Sequence, residues 1–158
     1  MRFVNPQNDI AFKKIFGNEH TKDVLIAFLN AVLDLDGLRA ITSVTLLSPY
    51  EAPKIAELKQ TIVDVKATDG CGKQFIVEMQ VSGQPFIKKR FQYYTAKTYV
   101  NQIADGEDYP KLNQVIFIGI LNFDEFDGKA WLTRHLLLNS DTGKQELKDL
   151  EFNFIELP

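Results

Sequence analysis

The sequence predicts an α/β fold in which a mixed central β-sheet is flanked by helices, in the chain order α-α-β-β-β-α-β-β-β. Three observations carry this expectation. Apolar residues recur at helical spacing near the start, two strand-like runs bracket a glycine-rich turn further on, and VIFIGIL is apolar throughout. A run of that last kind suits a strand covered on both faces, so its covering layers should be helices. With 158 residues the chain can bury one core, and 1–158 reads as a single domain. Hydrophobic residues at 45% and charged residues at 25% match ordinary globular usage, which excludes a disordered or fibrous chain.

The segment NPQNDIAFKKIFG reads as a short helix capped by Asn5, with Pro6 at its start, Gly17 as its stop, and Ile10, Phe12, Ile15 and Phe16 apolar. A second helix follows in TKDVLIAFLNAVL, capped by Thr21, with Val24, Leu25, Phe28, Leu29 and Val32 at helical spacing. β-Branched residues over 41–47 predict a strand, after which Pro49 and Pro53 break the chain. Residues 61–68 and 74–82 read as two further strands around the turn DGCGK, and the three together as a meander. Gln84 and Pro85 open a long helix ending at Gly106, with Phe86, Ile87, Phe91, Tyr94, Thr98 and Ile103 turned inward. Residues 131–138 and 150–157 supply the last two strands. Because the chain stops on a strand pattern at IELP, it is expected to be the N-terminal fragment of a longer protein.

Several function classes fall away. One cysteine, Cys71, gives no internal disulfide framework, and MRFVNPQND lacks the apolar core of a secretion signal, so a reducing cytoplasm is expected. No run of about 18 apolar residues spans a bilayer, and no membrane partner is expected. Neither His20 nor His135 has ligand spacing, which disfavours zinc, and Cys71 has no nearby histidine to activate it. A net charge of −3 disfavours a globally basic nucleic-acid coat protein, but acids gathered at a metal site are compatible with a local basic strip for phosphate.

The stretch DVKATDGCGKQFIVEMQ places Asp64 and Glu78 inside strands that otherwise look buried, where a carboxylate without a partner is costly. Strand alternation puts Asp64 and Lys66 on one face and Glu78 and Gln80 on one face of the next strand. If the loop is 69–73, Thr68 lies opposite Gln74 and Asp64 opposite Glu78, with β-carbons about 4.5–5.5 Å apart. Two carboxylates so placed call for a divalent, oxygen-seeking cation such as magnesium. A hairpin whose polar face simply meets solvent is the alternative, and a one-residue slip would move Glu78 to the wrong face.

The order helix, strand, strand with Asp64, strand with Glu78-x-Gln80, helix resembles the PD-(D/E)XK nuclease superfamily. NDIAFKKIFG, DVKATDGCGKQFIVEMQ and YYTAKTYVNQIADGEDYPKLNQVIFIGIL are similar to the recombination-promoting nucleases, a transposase-like family within it, and so is the final IELP. The proline that often precedes the first acid is Val63 here, and Gln80 stands where lysine is commonest. A glutamine amide can orient water or phosphate but cannot be a cation or a general base.

The resemblance implies a restriction-endonuclease-like fold and metal-assisted hydrolysis of DNA, linked to recombination or transposition, with Mg2+ or Mn2+ as cofactor and no small-molecule organic cofactor. Asp64, Glu78 and the carbonyl of Met79 would hold the ion, and Asp9 in the first helix would add a third acid. Lys66 would supply the positive charge that Gln80 lacks. Lys88, Lys89, Arg90, Tyr94 and Lys97 on the long helix are the expected DNA contacts. A homodimer is expected for double-strand cutting, in a prokaryotic cytoplasm and at the nucleoid when acting. The rival reading is a catalytically degenerate nuclease fold serving as a DNA- or protein-binding module, motivated by Gln80 and the acidic net charge.

Overall fold

The computed structural model describes residues 5–51, 61–128 and 130–157. Helix α1 (Asp9–Phe16) is capped by Asn8, whose side chain accepts from the N–H groups of Ile10 and Ala11, satisfying two of the free donors of the first turn. Asn5, expected as the cap, instead closes a turn just before it by accepting from Gln7 N and Asn8 N. Helix α2 (Lys22–Leu33) begins after Thr21 as expected, although that hydroxyl donates to the carbonyl of Ile15 and so ties α2 back to α1. The rings of Phe12, Phe16 and Phe28 then stack in series, 4.8 and 5.0 Å between centroids.

Strands β1 (Val44–Leu46), β4 (Val65–Asp69), β5 (Gln74–Gln80), β6 (Val115–Leu121), β7 (Leu132–Leu136) and β8 (Leu150–Glu156) form one six-stranded sheet in the order β1-β4-β5-β6-β8-β7. The first three are the expected antiparallel meander. Helix α3 (Ile87–Val100) then connects β5 to β6, which pair in parallel, as do β6 and β8. The mixed sheet flanked by helices is therefore the architecture found, consistent with a restriction-endonuclease-like fold. One segment departs from it. Residues 61–68 are not a single strand: β3 (Thr61–Ile62) leaves the sheet to pair with β2 (Tyr50–Glu51) in a separate ribbon, and the chain bends at Asp64. Pro53, one of the two expected chain breaks, lies outside the described residues.

Every residue of β6 is buried, and its alternation sorts the core. Ile116, Ile118 and Ile120 pack with Phe12, Leu25 and Leu29 beneath α1 and α2, whereas Val115, Phe117 and Leu121 pack with Ile87 and Phe91 beneath α3. Gly119 permits the closest approach on the second side. A β-carbon there would stand 2.7 Å from the ring of Phe154, so Gly119→Ala should cost about 1–3 kcal/mol through overpacking. Urea unfolding measures it: a variant with wild-type midpoint would mean that the Phe154 ring shifts freely.

The inward stripe of α3 is shorter than its sequence suggests. Val100 ends the helix ahead of Gly106, because Asn101 and Gln102 turn their amides to Glu51 and to the main chain of Asn113. Phe86, expected in the core, is 76% exposed. It stands before the first helical residue in the left-handed backbone region, φ 62°, which points it away from the stripe.

Candidate active site

The turn DGCGK fixes the register on which the site depends. The carboxylate of Asp69 accepts from the N–H groups of Cys71 and Lys73, and Gly72 takes φ 88°, a conformation that side chains rarely adopt. Thr68 consequently pairs with Gln74 and Val65 with Val77. Asp64 lies at the bend just before Val65, beyond the last paired residue, and its charge acts on Glu78 of β5. Asp64 is held there by Met79, whose N–H donates to Oδ2 at 2.9 Å.

Glu78 is 4% exposed, and its two oxygens differ. Oε2 accepts from the amide of Gln80 at 3.1 Å, whereas Oε1 is buried with no hydrogen-bond partner among the described residues. Burial first, and then the negative charge of Asp64, push the Glu78 carboxyl up to about 8; Arg90 and Gln80 pull the other way. The same surroundings, burial foremost, raise the Tyr94 hydroxyl.

This shift makes stability depend on pH. Unfolded, the group titrates near 4.5; folded, near 8; between these values the folded chain holds the extra proton. Its contribution is therefore complete at low pH and is lost as pH rises through this window. Glu78→Gln should flatten that loss, leaving the variant more stable than the metal-free parent at pH 8 but not at pH 4. Thermal melts across that range test it; parallel curves for both proteins would refute the assignment.

Lys13, which sequence reasoning missed as a site residue, reaches Asp64 from α1. Its ammonium lies 3.2 Å from Asp64 Oδ1 and 2.8 Å from Asp9 Oδ1, so it bridges the two acids. Both contacts raise the Lys13 amine, and Lys13 in turn is the main cause holding the Asp9 carboxyl below its usual range. Among the described residues no three His, Cys, Asp or Glu side chains gather into a metal-holding group. Asp9 thus stands beside Lys13 at the edge, and the inner acid pair is half-buried Asp64 with buried Glu78.

Lys66 lies on the expected face but away from the acid pair's needs. Buried itself, it ion-pairs with the carboxylate of Glu51 on β2, which also accepts from Thr98 Oγ1 at 2.8 Å and from Asn101 Nδ2 at 2.9 Å. The positive charge expected of Lys66 at the site comes from Lys13. Lys97 is also turned inward: it is buried and donates to the main-chain carbonyl of Glu51 at 3.1 Å, which corrects its assignment as a phosphate contact. Of the other expected DNA contacts, Lys88 and Lys89 are exposed on α3, whereas Arg90 and Tyr94 are half-buried. Lys88 ion-pairs with Glu125 at 3.4 Å and lies over the Phe126 ring, Lys89 lies over Phe86, and Arg90 donates to Gln84 at 2.7 Å while covering Tyr94. A buried lysine in a strand was a signal that a carboxylate had to be near, yet nothing local named Glu51.

Two neighbouring carboxyls, one with an oxygen that has no hydrogen-bond partner among the described residues, thus lie beside Lys13 and near Arg90 of α3. Residues 6–158 match the family model described as PD-(D/E)XK nuclease family transposase. The chain belongs to this family. Its fold and its nuclease- and transposase-associated chemistry follow from that membership, with DNA the substrate that a nuclease family implies. Neither the curated proteins nor the solved structures compared with this PD-(D/E)XK chain include a match. No described helix is long and apolar enough to cross a membrane.

Proposed function

We propose that this PD-(D/E)XK chain is a divalent-metal-dependent DNA endonuclease that acts in recombination or the movement of genetic elements, at the nucleoid of a prokaryotic cytoplasm. The supporting observation is the Asp64 and Glu78 pair, two neighbouring carboxyls of which one has a buried oxygen without a hydrogen-bond partner among the described residues. Such a pair is costly alone and suits a hard cation with oxygen ligands. Asp64 and Glu78 would hold magnesium or manganese. When bound, the ion would polarise the scissile phosphate and make its water more acidic.

The chain's own residues supply the rest. Glu78, raised to about 8 when alone, would hold a cation only in its deprotonated form, so affinity should rise with pH. The Gln80 amide fixes Glu78 Oε2 and leaves Oε1 free to act as a ligand. Lys13 places a cation next to Asp64, where Gln80 cannot, and can meet the charge that develops on phosphate. Lys88, Lys89 and Arg90 hold the DNA backbone; removing Lys89 should weaken binding across sequences and lower the salt slope by about one, measured by fluorescence anisotropy. Two copies acting together would cut both strands.

The test is plasmid DNA incubated with magnesium and either the parent or Asp64→Ala. Nicked or linear product from the parent alone is expected; equal cleavage by both, or none by either, rejects the enzyme. A binding module is the second reading, favoured by Gln80 and by Lys13 already sitting on Asp64. It predicts no carboxylate-dependent heat when magnesium is titrated in.

A further inference from the structure

The loop leaving the acid strand carries a feature that the hydrolytic site does not use. Phe86 is 76% exposed and adopts φ 62° and ψ 25°, although glycine would take that conformation without the penalty of a β-carbon. Its ring buries little in return. The conformation is fixed from both sides: Ile87 N donates to Gln84 O, and Lys89 N and Arg90 N donate to Phe86 O. The strain thus serves to present an aromatic ring to solvent at a defined place.

That place is charged and open. Gln84, Pro85, Phe86, Lys89, Arg90, Tyr93 and Tyr94 line a cleft of about 580 Å³. Lys89 and Arg90 stand four and three residues before Tyr93 and share one side of α3 with it, and Phe86, just ahead of the helix, lines the same cleft. Lys89 Nζ lies 5.6 Å from the Phe86 ring centroid, and Tyr93 is 37% exposed. The cleft runs toward the acid pair through Arg90 and Tyr94: the guanidinium covers the Tyr94 ring at 5.8 Å, and the Arg90 charge acts directly on Glu78. Arg90 Nε is buried there without a hydrogen-bond partner among the described residues.

Exposed aromatic faces interleaved with cations recognise an unstacked base together with its phosphate, because every base offers a π face while the cations follow the backbone. A base inside a duplex has no free face to give. A peptide ligand would need apolar pockets or acidic side chains to match; two cations, Lys89 and Arg90, flanked by the rings of Phe86 and Tyr93 suit a base with its phosphates instead.

We propose that Phe86 and Tyr93 form a stacking platform for an unpaired nucleotide next to the scissile phosphate, so that the substrate class is single-stranded or locally unpaired DNA. This proposal rests on the nuclease reading for the identity of the scissile bond, but the platform is testable without turnover. A single-stranded oligonucleotide carrying 2-aminopurine is titrated with the parent and with Phe86→Gly in calcium-containing buffer. The glycine suits the backbone conformation, so the variant should melt no lower than the parent. Stacking on the parent should quench the emission, and Phe86→Gly should bind roughly 10-fold more weakly with little quenching. Phe86→Trp should restore both.

Equal binding and quenching by the parent and Phe86→Gly, or no quenching by the parent, would overturn the platform even if Asp64-dependent cleavage of plasmid is observed. Phe86-dependent quenching without Asp64-dependent cleavage would instead uphold the platform and remove the nuclease activity.

Discussion

Replacing Lys66 with alanine should lower folding stability by about 3–5 kcal/mol, the usual consequence of stranding one member of a buried ion pair. The partner left behind is Glu51. Its carboxylate would keep the hydroxyl of Thr98 and the amide of Asn101 but lose the Lys66 ammonium, in a pocket where both side chains of the pair are about one-tenth exposed. For a domain of this size the loss corresponds to a thermal midpoint lower by roughly 10 °C. A double replacement, Glu51→Leu with Lys66→Met, removes both charges and should recover most of the stability. If Lys66→Ala melts with the parent, the pair contributes nothing and the ribbon of β2 and β3 is held by other contacts.

Lys13→Ala should have the opposite profile. Its side chain is 41% exposed, and ion pairs at that exposure contribute about 1 kcal/mol or less, so the melting curve should barely move. Cleavage should nevertheless fall by on the order of 100-fold or more, because a cation beside the reacting phosphate stabilises charge that appears only in the transition state. The loss should appear in kcat with KM little changed, and Lys13→Arg should recover part of it. Wild-type turnover by Lys13→Ala would assign the lysine to bridging Asp9 and Asp64 and nothing more.

The contrast between these two lysines marks how far local pattern reaches. Lys66 was the natural candidate for the missing cation, since it lies two residues from Asp64 on the same face of a strand. Alternation gave its face correctly. It could not say that β2 would bring Glu51 to that face, because Glu51 is 15 residues away and its segment pairs outside the main sheet. Lys97 misled in the same manner: helical spacing put it near Arg90, and the approach of the Glu51 main chain turned it inward. Phe86 was placed in the core from its apolar character, but the left-handed turn ahead of α3 aims it at solvent.

Neighbouring residues alone specify the main run of helices and strands, the doubly buried β6, the meander, and the register that pairs Thr68 with Gln74. These are consequences of periodicity and of a tight turn whose glycine and aspartate admit few geometries, so neighbours in the chain suffice to specify them. Which charges meet, Lys13 with Asp64 and Lys66 with Glu51, and where Phe86 points depend on the packing of distant elements. Long side chains reach whatever the packing of distant elements brings near, and no local spacing encodes that meeting.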